Sequence, residues 1–202
     1  MVDYRDAGTF GDRVQAVRKA RGIRSAQALA DLIDTGTMTD SIIRNIESGR
    51  LPNPTISQVL NLAFALKVAP SFLLAPLGDP TGRIDLPGLT SGLAAMSPAE
   101  FDAWLTGSSS GAYRATNALE LAERSELAAF RDLEGLIRER RRLGVVRDLE
   151  TQGSADSQTP TSAEWNRTAE RLATIENEIV DAVQFLASAG WNLQSWVQAN
   201  ER

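Results

Sequence analysis

The sequence predicts an all-α chain, with five short helices making a head over residues 1–78, then a linker, then a long antiparallel helical hairpin. Three observations carry this prediction. Apolar residues recur at steps of three and four through most of the chain. Residues that cap helices, and glycines and prolines that stop them, fall at the ends of those runs. Two stretches in the C-terminal half alternate steps of four and three for long enough to form heptad seams. The 202 residues are enough for one or two compact units with a core of useful size.

The first helix starts at Thr9, with Phe10, Val14, Val17 and Ala20 or Arg21 on one face and Gly22 as its stop. Ser25 can cap the second, AQALADLI, whose apolar face is Ala28, Leu29, Leu32 and Ile33, before Asp34, Thr35 and Gly36 break it. Thr37 or Thr39 caps the third, DSIIRNIESG. There Ile42, Ile43 and Ile46 point inward, while Asp40, Ser41, Arg44, Asn45 and Glu47 stay outside until Gly49. The two prolines of LPNP force an extended turn. A fourth helix, TISQVLNLAFALKV, turns Ile56, Val59, Leu60, Ala63 and Leu66 inward, and Pro70 opens a short fifth, PSFLLAPL.

Gly- and Pro-rich sequence from Gly78 to Gly92 has no sustained period and reads as a linker, and the domain division is 1–78, 79–111 and 112–202. One short helix lies in the middle segment, opened by the capping-box spacing of Ser97 and Glu100 and running through Leu105, and GSSSG at 107–111 is a second break. From about Ala112 to Glu150 the seam runs Ala115, Leu119, Ala122, Glu126, Ala129, Leu133, Leu136, Arg140, Leu143. TQGSADSQTPT is a loop. The return helix repeats the pattern with Trp165, Thr168, Leu172, Ile175, Ile179, Ala182 and Leu186, ends at Gly190, and leaves a short amphipathic tail with Trp191 and Trp196. Two such helices across a short loop fold back on one another, and each needs its stripe buried to be stable. The seam can close within the chain or against another subunit.

Composition removes many functions. With no His and no Cys there are no disulfides, thiol nucleophiles, imidazole bases or usual zinc ligands. The only lysines are Lys19 and Lys67, so a Ser-Lys dyad in the C-terminal half is excluded. No paired-carboxylate motif stands out, and the expectation is a non-enzyme with no cofactor and no metal. No apolar run is long enough for a membrane span, and MVDYRDAGTF lacks the features of a secretory signal, so a cytoplasmic protein is expected. The net charge of -5 divides unevenly: residues 1–78 hold 9 Lys and Arg against 7 Asp and Glu, and residues 79–202 hold 12 against 19. A mildly basic head precedes an acidic body.

The order of helices and the tract from Ile43 through Ile46, Glu47, Gly49, Pro54, Leu62, Ala63 and Ala65 to Leu66 resemble the Cro and CI-type helix-turn-helix regulators, also called XRE regulators, with their lambda-repressor-like N-terminal domain. The resemblance covers about Thr9 to Leu77. It departs in two places: Ile23 to Ala30 is one residue longer than the common pattern, which puts Gln27 beside Ala26, and the connection Asp34 to Met38 is longer than the tight turn of simple repressors.

The resemblance implies that the third helix enters the major groove of double-stranded DNA with Thr39, Asp40, Ser41, Arg44 and Asn45 facing bases. Arg44 would bond guanine O6 and N7, Asn45 adenine N6 and N7, and Asp40 the cytosine amino group. Arg13, Gln27, Arg50 and Asn53 lie where the family contacts phosphates. Plainer readings stand beside these. Asp40 in a first turn favours the helix dipole, Arg44 suits a solvated surface, and Glu47 resembles an acid paired within the bundle. The run Arg138, Arg140, Arg141, Arg142 is interleaved with Glu134 and Glu139, and reads as a salt-bridged face or as a second DNA patch. Trp104, Trp165, Trp191 and Trp196 suit packing, an interface or a ligand cage.

The implied function is sequence-specific transcription regulation, repression by operator occupancy, with a homodimer formed through the C-terminal helices. The other reading is a protein-interaction module, antitoxin-like or polymerase-docking, in which the acidic hairpin takes a protein partner.

Overall fold

The computed structural model describes residues 3–5, 7–33, 35–153 and 162–200, the side chains of 150–153, 162–166 and 200 excepted. The chain is all-α: among the described residues there are ten helices and no strand. It divides into one unit up to Arg114 and a second from Ala115.

The first unit grows from capped helices. Thr9 and Asp12 form a reciprocal capping box at the start of α1 (Phe10–Ala20), which closes the orphan amides of its first turn. Ser25 caps α2 (Ala26–Ala30) and Thr39 caps α3 (Asp40–Glu47). α3 stops where Gly49 takes a left-handed φ of 72°, a region open to glycine at little cost. Thr55 and Gln58 box the start of α4 (Ile56–Leu66), and Pro70 occupies the first turn of α5 (Pro70–Leu74). Val14, Val17, Leu29, Ile43, Leu62, Leu66 and Leu73 are fully buried between these five helices. Each such side chain contributes about 1.5–3 kcal/mol.

Two apolar faces differ from the sequence expectation. α2 ends at Ala30, so Leu32 lies past the helix and is exposed, while Ala26 is buried. On α4 the buried face is Val59, Leu62, Ala63 and Leu66, which turns Ile56 and Leu60 out to 80 % and 51 % exposure.

Residues 79–111, expected as a linker with one short helix, fall within the first unit. α6 (Ser91–Ala94) and α7 (Pro98–Thr106) follow one another, and α7 opens on the expected Ser97–Glu100 box. Ile84 and Phe101 are buried with Ala75, against Leu74, Leu77 and Leu86. The Gly and Pro content that suggests a linker gives turns; the apolar residues between those turns pack on α5.

In the second unit α8 (Ala118–Gly153) and α9 (Ser162–Ser188) run in opposite directions. Arg171 meets Glu139, while Trp191, past the end of α9, donates to Glu126. Their core is Leu133, Ile137, Ile175, Ile179 and Leu186. α8 begins six residues after the expected Ala112, because Asn117 accepts from the Glu120 amide while Glu120 accepts from the Thr116 amide, and the two close its first turn. It runs on through Gly153, three residues into the expected loop, and the rest of that loop, 154–161, lies outside the described residues. Trp191 and Trp196 flank Phe130 at 5.2 Å each, near α10 (Gln194–Asn200). Trp104 lies beside Phe101 at 5.9 Å, and the side chain of Trp165 is outside the described residues. Among the described residues no helix is long and apolar enough to cross a membrane.

Candidate nucleic-acid interface

α3 is fixed on its inner side by packing and by one buried ion pair. Ile43 and Ile46 fill the core, and at Gly11 of α1 a β-carbon would collide with the Ile46 carbonyl oxygen, so the two helices meet backbone to backbone. Arg18 donates from Nε and Nη2 to the two oxygens of Glu47 at 2.6 and 2.8 Å, and from Nη1 to the Ile23 carbonyl at 2.9 Å. The Glu47 carboxylate holds the Arg18 guanidinium above its ordinary range, against the opposing effect of burial. Glu47 is thus a structural acid within the bundle. A fork of this kind fixes orientation as well as distance, and it sets the end of α3 against α1.

The outer side carries the residues expected to read bases. Thr39, Ser41 and Arg44 are exposed, and Asp40 and Asn45 are half-buried. Thr39 also spends its hydroxyl oxygen on the Ile42 amide as the helix cap. Arg44, 70 % exposed at its side chain, donates one turn back to Asp40 Oδ2 at 2.8 Å. The other Asp40 oxygen is buried with no hydrogen-bond partner among the described residues. An unmet carboxylate oxygen is costly. Asn45 uses its backbone carbonyl to accept from the Leu51 amide, which holds the following loop, and its side-chain amide has no partner among the described residues.

The four residues expected at phosphates separate. Arg50 and Asn53 are exposed, and neither forms a hydrogen bond or ion pair among the described residues. Gln27 is exposed and donates to Asp31 at 2.7 Å. Arg13 is corrected: its side chain is 0 % exposed and cannot reach a phosphate. It donates from Nε to the Leu73 carbonyl (2.8 Å), from Nη1 to the Ala7 and Gly8 carbonyls, and from Nη2 to the Leu74 carbonyl and Asp85 Oδ1 (2.7 Å). Arg13 ties α1 to the end of α5 and to the segment beyond it.

Sequence reasoning does not single out Arg24, exposed and unpaired among the described residues just before the Ser25 cap; Thr37, a candidate cap in the sequence, instead meets the Thr35 hydroxyl with its own at 2.9 Å on the way into α3. A cation next to a helix-2 cap is the signal that marks Arg24. On α8, Glu139 of the Arg-rich run accepts a fork from Arg171 of α9, at 3.1 Å for both bonds, and Arg171 holds the Glu139 carboxyl below its usual range. Among the described residues no three acidic side chains group so as to hold a metal ion. No family model, no curated protein and no solved structure matches this chain.

Proposed function

We propose that the chain is a sequence-specific DNA-binding transcription regulator that represses by occupying its operator, with a lambda-repressor-like head that lays α3 in the major groove. The observation that carries this reading is the two-sided character of α3. Its inner face is locked by Ile43, Ile46 and the Arg18–Glu47 fork, and its outer face offers Thr39, Ser41, Arg44 and Asn45 to solvent. A rigid helix about 10 Å across with polar residues near its N-terminus fits that groove. Arg50 and Asn53, just past α3, lie where unpaired polar groups would position the backbone of the duplex. Asp40, paired to Arg44, orients that guanidinium for guanine rather than reading a base itself.

The hairpin of α8 and α9 supplies the homodimer in this reading. Support comes from apolar side chains that the α8–α9 core leaves outside, Leu119, Leu121, Val145 and Leu149, all exposed on α8. The same residues would serve a protein partner if the chain were an interaction module. Cytoplasmic location and the absence of catalysis belong to this proposal.

Selection of bound sequences from a random duplex pool, with the full chain and with Arg44→Ala and Asn45→Ala, tests the reading. A palindromic motif whose consensus changes at one base in each variant is expected, with a loss of about 1–3 kcal/mol at the base that Arg44 reads. Arg50→Ala is expected to weaken all sites alike and to lower the salt slope by about one. A single unpaired motif removes the symmetric dimer. No enrichment at low salt overturns DNA reading and turns attention to the hairpin's partner.

A further inference from the structure

The first unit contains a pocket of about 520 Å³ between α4, α5, the segment around Leu86 and the end of α7, a size within the range of small-molecule sites. Its walls are apolar: Ile56 and Leu60 from α4, Leu74 from α5, Leu86, and Leu105 from α7 are among them. No lining residue is ionisable. A charged guest would lose its hydration with nothing to replace it, so the occupant is neutral.

One polar group stands out in that lining. Ser71, the second residue of α5, is 6 % exposed, and its hydroxyl has no hydrogen-bond partner among the described residues. Among the described residues the sealed side-chain oxygen that lacks a partner is that of Asp40, so the Ser71 hydroxyl, partnerless within the protein, is open to a partner from the pocket. We infer that this pocket binds a small, uncharged, mostly apolar molecule that presents one hydrogen-bond acceptor, such as a ketone or ester carbonyl, to the Ser71 hydroxyl.

The pocket also touches the DNA-facing side of the head. Pro52, Asn53 and Pro54 form one wall, directly after Arg50. A guest that fixes this wall changes how Arg50 and Asn53 meet a phosphate, and DNA in turn changes the affinity for the guest. That coupling rests on the DNA reading; the binding itself does not, and it is measured without DNA so that the two can fail separately.

The full chain is titrated with N-phenyl-1-naphthylamine, an uncharged dye that fluoresces in apolar surroundings, with 2-decanone as a competitor. Saturable one-to-one binding is expected. Leu60→Arg, at a half-exposed position on the rim, is expected to weaken the dye by about tenfold or more by placing a charge in an apolar site. Phe64→Arg, one turn along the same helix, 77 % exposed and outside the pocket, leaves binding unchanged. Ser71→Ala weakens competition by 2-decanone about fivefold, the worth of one hydrogen bond, with little effect on the dye. Helical circular dichroism confirms that each variant folds. Dye binding indifferent to Leu60→Arg overturns the inference, as does competition indifferent to Ser71→Ala. It is also overturned if the dye is expelled as protein concentration rises, in step with a self-association seen by sedimentation and abolished by Leu60→Arg, because the pocket then takes a second copy of the chain.

Discussion

Arg13 is the residue whose role the sequence conceals. Arginines are rarely buried whole, so an arginine on the first helix of a head that resembles DNA-binding domains is read as solvent-facing. Its backbone partners at Leu73 and Leu74 lie sixty residues away, and its acidic partner, Asp85, lies in sequence that resembles a linker. No local pattern joins them. Glu47 is different, because an acid at that place in the tract that resembles the Cro and CI-type pattern already suggests a partner inside the bundle, and Arg18 supplies it. Removing Arg13 strands four carbonyls and the Asp85 carboxylate, which is a quarter exposed and keeps part of its hydration. Arg13→Ala is therefore expected to cost about 3–5 kcal/mol of stability, read from the shift of the urea midpoint. A variant as stable as the parent that instead loses DNA affinity at every site would return Arg13 to the phosphate-contacting set.

Helix existence is largely legible from caps and periods; facing is less so. Thr9, Ser25, Thr39 and Ser97 start helices where the sequence places starts. α4 defeats the facing rule because ISQVLNLAFAL is apolar on nearly every side, and tertiary packing alone selects Leu62 over Leu60. On α8 the heptad seam places Leu133 correctly and passes over Phe130 and Ile137, since two aromatic rings from beyond Gly190 draw Phe130 inward. The end of α4 carries a cost that period analysis cannot register: Lys67 has a left-handed φ of 53°, strained for any residue with a β-carbon. Lys67→Gly relieves about 1 kcal/mol and loses about 0.5 kcal/mol with the ammonium that sits 4.2 Å from the Phe64 ring centroid. A small rise in Tm by calorimetry is expected, and a fall would show that the Phe64 contact outweighs the strain.

Across the whole chain, the division of charge is visible in composition, and the division into units is only partly so. The sequence places the end of the head at residue 78, whereas the first unit extends to Arg114. Turn-rich sequence is easily mistaken for a tether, since Gly and Pro mark bends and say nothing about what the residues between them cover. The feature with the widest reach is the bond from Arg13 to Asp85. It sets the smallest piece of chain that can be moved from one protein to another and still fold. A graft of residues 1–78 carries the arginine without its carboxylate and without the Ile84–Phe101 cluster, while a graft of 1–106 carries both. The longer fragment is expected to melt cooperatively by circular dichroism and the shorter to melt lower and broadly; equal melts would mean that five helices suffice. A recombination breakpoint between α5 and α7 would thus give a broken module, and one after α7 an intact one.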